Sequence, residues 1–116
     1  MAGTLKRLFG PVTLSTTLTT NIYAGASGSA LLYDSLKQIN IANRTGSAAT
    51  FTIFLGATGA NAAGTEMYIA VSVPANTTTP YTFYPGLKLV STDFLVGGSG
   101  TATALTITGF GEQFAV

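Results

Sequence analysis

No cysteine, histidine or tryptophan occurs in this 116-residue chain. Without cysteine, disulfides, zinc–thiolate sites and thiol nucleophiles are excluded. Without histidine, the side chain best suited to proton transfer near neutral pH is gone, and with it every Ser–His–Asp or Cys–His arrangement. Charge is scarce too: 8% of the residues are charged, against roughly 25% in an ordinary soluble domain. Lys6, Arg7, Lys37, Arg44 and Lys88 stand against Asp34, Glu66, Asp93 and Glu112, for a net charge of +1. Proteins that live alone in solution normally use net charge to stay apart. A surface covered by Thr, Ser, Asn, Gly and Ala therefore fits a chain packed in an assembly. Few ion pairs are available to such a surface, so its binding is expected to depend weakly on salt.

Long hydrophobic runs are missing as well. The apolar residues are Ala and short β-type stretches, and none approaches the ~18 residues needed to cross a bilayer, so no membrane partner is expected. The opening Leu5-Lys6-Arg7-Leu8-Phe9 runs into Gly10, Pro11 and a Thr-rich stretch instead of an apolar core. No secretory signal is expected from it, and folding in a cytoplasm is.

What is present is strand chemistry. Thr, Val, Ile, Phe and Tyr dominate the apolar stretches, and Gly, Asn and Pro punctuate them about every ten residues, the rhythm of a sandwich or barrel. Residues 1–24, with Pro11 and the run Thr13 to Thr20, read as an extended N-terminal arm of edge-strand character. Residues 25–116 read as one β-sandwich domain. A long strand is expected from Leu31 to Asn43, followed by turn chemistry at Asn43-Arg44-Thr45-Gly46-Ser47. In the next, Phe51, Ile53 and Leu55 share one face and Thr50, Thr52 and Phe54 the other. Alternation resumes with Met67, Ile69, Val71 and Val73 on one face and Tyr68, Ala70 and Ser72 opposite. Turns follow at Pro74-Ala75-Asn76, Tyr84-Pro85-Gly86 and the glycine hairpin Gly97-Gly98-Ser99-Gly100. Seven to eight strands after the arm give an all-β, single two-sheet sandwich of jelly-roll or immunoglobulin-like type.

Catalytic chemistry finds little footing. The chain has no nucleophile elbow, P-loop or dinucleotide fingerprint, and Gly25-Ala26-Ser27-Gly28 lacks the Lys-Ser/Thr of a phosphate cradle. Asp34 and Asp93 lie beside turn residues, where aspartate serves local hydrogen bonding, and each acid stands alone in sequence, against both a carboxylate pair and a calcium loop. No enzymatic activity, cofactor or metal is expected. Lys6-Arg7 is the one basic pair, too little for a nucleic-acid partner. Tyr68, Tyr81, Phe83 and Tyr84 could stack on a glycan but read first as sheet filler; Tyr81 and Tyr84 are the pair to test.

Docking on protein is the remaining class. Leu5, Lys6, Arg7, Leu8 and Phe9, with Leu14 and Leu18, form a segment whose apolar residues could fill a groove while its charges meet an acidic rim. The small-residue loop from Gly56 to Gly64, with Gly59 and Asn61, could lie close against a neighbouring backbone. If the arm is the contact, deleting residues 2–20 should leave a folded domain that no longer binds.

Several stretches together resemble the small β-sandwich virion proteins of tailed bacteriophages. They are Leu5 to Pro11 with the Thr-rich arm, Ile39 to Thr52, Pro74 to Thr78, and Gly100 to Gly109. Such proteins serve as capsid decoration (cement) proteins, as neck or connector pieces, or as tail or fibre components. The resemblance implies a non-enzymatic virion structural protein, first of all a decoration protein on the major capsid protein lattice. It implies a homo-oligomer too, a trimer as first guess. A phage neck, tail or fibre subunit, and a carbohydrate-binding adhesion module, remain the alternatives.

Overall fold

The structure, a computed structural model, describes residues 3–24, 31–57, 64–90 and 92–115, with Leu31, Leu32 and Ala115 described by backbone alone. Gly59 and Asn61 lie outside the described residues. Eight strands are formed: β1 (Thr4–Thr13), β2 (Asn21–Ala24), β3 (Leu31–Asn43), β4 (Ala49–Gly56), β5 (Glu66–Val73), β6 (Thr77–Leu89), β7 (Phe94–Ser99) and β8 (Leu105–Ala115). They make two four-stranded sheets, β1-β8-β3-β6 and β2-β7-β4-β5, and every pairing is antiparallel. Only β4 and β5 follow one another within a sheet; each other connection changes sheet.

One core fills the space between the sheets. Phe9, Leu36, Ile39, Ile41, Leu89, Leu105 and Ile107 enter it from the first sheet, and Phe51, Ile53, Val73 and Leu95 from the second. The β4 alternation places its residues as the sequence predicts: Phe51 and Ile53 are buried in the core and Leu55 packs against it. Phe54 is buried on the opposite face, directly across from Val96.

The N-terminal stretch is corrected by the structure. Over its described part, 1–24 is no free arm, because β1 is the edge strand of the first sheet and β2 that of the second. The chain crosses between them beside Leu14, which is 2% exposed. Leu14 N–H donates to Leu105 O at 2.9 Å, and Ser15 O accepts from Ser99 N–H at 2.8 Å, so two successive residues tie the chain to both sheets. Among the described residues six strands follow residue 24, where the sequence leads one to expect seven or eight.

Two further corrections concern local geometry. The partners of Phe51 and Ile53 are Val71 and Tyr68, so β5 carries an extra residue, with Ala70 at φ 44°. This bulge turns Tyr68 toward the core, its ring 5.5 Å from Phe51, and leaves Ile69 65% exposed. Of the glycines expected as a hairpin, Gly97 and Gly98 lie inside β7, and Gly100 follows it. A Cβ on Gly97, at φ 154°, would fall onto Thr52 O, and one on Gly98 onto Ser15 O. These glycines let three backbones approach where a side chain would separate them. Gly97→Ala is expected to cost about 2 kcal/mol or more, read as a lowered urea midpoint with an unchanged slope.

Candidate interaction surfaces

Of the residues singled out for docking, the structure divides surface from core. Leu5 is 79% exposed, Lys6 and Arg7 are exposed, and Leu18 is 38% exposed. Leu8 is partly buried against the core, and Phe9 and Leu14 belong to it. The Phe9 ring stacks on Tyr23, 4.9 Å between centroids, and lies over Gly109, where any Cβ would collide with it. Phe9 and Leu14 therefore hold the fold and are unavailable to a partner.

The outer face of the first sheet carries the most varied surface. Asp34 and Leu36 point inward, so alternation puts Tyr33 and Ser35 outside. On β8, Gly109 meets Phe9 and Gln113 meets Asp34, which leaves Phe110, Glu112 and Phe114 on the outer face. Their partners on β1 are Arg7, opposite Phe110, and Leu5, opposite Glu112. Tyr33 stacks on Phe114 at 4.6 Å, and Lys88 Nζ sits 4.8 Å over the Tyr33 ring. Lys37 reaches Glu112 at 3.7 Å and donates to Pro85 O at 2.6 Å. Toward the other end of the same face the residues are neutral: Gln38, Asn40 and Ala42 with Thr78, Pro80, Thr82, Thr106 and Thr108.

A second exposed element lies along β6. Leu36 pairs with Leu87 and Gln38 with Thr82, so residues 83–86 swell out of the strand. Tyr84 at its crest is 99% exposed. Tyr81 packs on Phe51 and Tyr68, 5.3 Å from each, so Tyr81 and Tyr84 do not make a two-ring platform for a sugar.

Sequence reading missed a buried polar network. Asp34 is 0% exposed within β3, not in a turn. The Tyr23 hydroxyl donates to its Oδ2 from the other sheet, and Gln113 Nε2 donates to Oδ1 at 3.0 Å. Lys6 Nζ in turn donates to Gln113 Oε1 at 3.2 Å. The partners of Asp34 are 11 and 79 positions away, beyond any local pattern. Burial pushes the Tyr23 hydroxyl well above the usual tyrosine range, and the bond to Asp34 and its charge add to this. Burial also raises Tyr68 and Tyr81. The sign follows: unfolded tyrosine ionises near pH ~10, so stability from neutral Tyr23 is intact below that and is lost as pH rises toward the folded value. Urea titrations from pH 8 upward should show this alkaline loss, and Tyr23→Phe should lessen it, leaving the part due to Tyr68 and Tyr81, while lowering stability at pH 7.

A shallow depression of about 300 Å³ is lined by Asn43, Arg44, Asn76, Thr77 and Thr78. Asn43 offers it nothing. Its Nδ2 donates to Ser47 O and Val73 O at 2.9 and 3.0 Å, and its Oδ1 accepts from Thr45 N–H and Oγ1 at 2.9 and 2.7 Å. Among the described residues no three acidic side chains stand together as a cation site would need. No protein-family model, curated protein or solved structure matches this chain.

Proposed function

We propose that this chain is a non-enzymatic structural subunit of a virus particle, a capsid decoration protein that binds the major capsid lattice as a homo-oligomer, with a trimer as first guess. The observation that carries this reading is the strand order. Sheets of order β1-β8-β3-β6 and β2-β7-β4-β5, with nearly every connection crossing between them, match a jelly roll built from two Greek keys, an architecture used by viral capsid domains. This is an argument by analogy of fold, and the surface supports it. Charge is sparse, and all four edge strands bear interruptions in their ladders: the register shifts of β1 and β2, the bulge of β5 and the swelling of β6. Such edges resist strand-to-strand addition, which leaves the faces as the contact. A standard interface buries about 800 Å² per partner, and repetition over a lattice multiplies a modest single-site affinity.

Quantitative mass spectrometry of purified particles tests the reading. A decoration protein is present in hundreds of copies, in fixed ratio to the capsid protein. A dozen copies or fewer would assign the chain to a neck, tail or fibre instead.

A further inference from the structure

Charged residues are few in this chain, yet they are not spread evenly. Arg7, Lys37, Lys88 and Glu112 occupy one end of the outer face of the first sheet. Leu5, Glu112, Ser35 and Lys88 lie at one level across the four strands, and Arg7 lies two residues along β1 from Leu5, opposite Phe110, with Lys37 at the irregularity between Leu36 and Gln38. Four adjacent strands span about 14 Å, so this is a transverse band carrying two more positive than negative charges. Leu5 lies within the band opposite Glu112, and Phe110 and the stacked Tyr33 and Phe114 flank it along the strands. The other acids are engaged elsewhere: Asp34 is buried, Asp93 Oδ2 accepts from Val90 N–H at 2.9 Å, and Glu66 accepts from Gly64 N–H at 2.5 Å.

We propose that this end of the outer face is a docking surface for an acidic protein surface, with Leu5, Tyr33, Phe110 and Phe114 supplying apolar contact and Arg7 and Lys88 supplying charge complementarity. Arginine and aromatic rings are what protein interfaces concentrate, and cations at the rim speed association and select against basic partners. Nucleic acid fits the same face less well. Stable binding to it draws on roughly six or more phosphate contacts, whereas here one of three cations is already matched by Glu112, whose carboxylate would face the phosphates. The inference rests on the reading above only for which protein is bound. It replaces the weak salt dependence expected from composition, because the few charges are gathered where contact is made.

The test uses the full chain, isotope-labelled, titrated with a synthetic twelve-residue peptide of alternating Glu and Leu or Phe. Matched peptides with Gln or Lys in place of Glu, and a twelve-nucleotide oligo-dT, serve as comparisons. Amide shifts at Leu5, Arg7, Tyr33, Phe110 and Phe114 are expected with the acidic peptide alone. Affinity should fall about tenfold between 50 and 300 mM salt, and by at least about tenfold in the double variant Arg7→Glu, Lys88→Glu. An unchanged thermal transition in that variant assigns the loss to the surface. Equal binding of the Gln peptide, tighter binding of oligo-dT, shifts elsewhere, or peptide-independent self-association through these residues would each overturn the proposal. A peptide-binding face on a chain absent from particles would sink the virion reading and leave this one standing.

Discussion

A protein lacking residues 2–20 is expected not to fold. The deletion removes all of β1, including Phe9, and Leu14 beyond it, both part of the core. Each buried side chain of this size contributes about 1.5–3 kcal/mol, and the β1 ladder to β8 goes with them. A domain's whole stability is about 5–15 kcal/mol, so the loss is of the same order as the total. The deletion also uncovers β8 as a new edge, with the Gly109 recess that Phe9 had filled, and exposed edges recruit other chains. Far-ultraviolet circular dichroism through a thermal scan should show no cooperative transition, and the product should aggregate. A cooperative melt within a few degrees of the intact protein would contradict the strand assignment. The deletion therefore cannot separate folding from binding, as an arm would have allowed. Leu5→Asp can, because Leu5 lies on the surface.

Removing the Asp34 carboxylate is the second large effect. Asp34 joins β3 to β2 through Tyr23 and to β8 through Gln113, so it links the two sheets as well as neighbouring strands. Asp34→Ala leaves the partly buried Tyr23 phenol and Gln113 amide without their acceptor. Each donor left unsatisfied costs about 1–3 kcal/mol, so the pair is expected to cost about 2–5 kcal/mol. Asp34→Asn should cost less, about 1–2 kcal/mol, because its amide can donate to the Tyr23 oxygen while its carbonyl still accepts from Gln113. The ordering Ala worse than Asn, measured by urea unfolding, distinguishes a hydrogen-bonded carboxylate from one merely filling space. Equal effects of the two substitutions would deny the network.

The sandwich was legible in the sequence wherever alternation is local. Phe51, Ile53 and Leu55 read correctly because the strand is regular and its neighbours on both sides demand the same face. Alternation sets Tyr68 opposite Val71 and Val73, whereas one extra residue brings all three to the core side, and Ala70 carries no sign that it will take a positive φ. Gly97 and Gly98 looked like a turn because glycine has the same appearance in a hairpin as in a strand that two backbones press upon. The stretch 1–24 looked like an arm because its Thr-rich, exposed composition is also that of an edge strand. Its partner β8 lies at the opposite end of the chain, a pairing no local pattern announces. The docking segment was half visible for the same reason: Leu5, Lys6 and Arg7 are outside, but Phe9 turns in over Gly109. The band to which Arg7 belongs came together only when β1, β8, β3 and β6 were set side by side.

Cryo-electron reconstruction of virus particles assembled with this chain present tests the proposed capsid role most directly. The account predicts eight-stranded sandwiches on the outside of the capsid, in symmetric clusters, each with the Leu5, Tyr33 and Phe114 end of its outer sheet face against acidic capsid residues. Particles without the chain, or sandwiches held through the neutral end of that face, would contradict it.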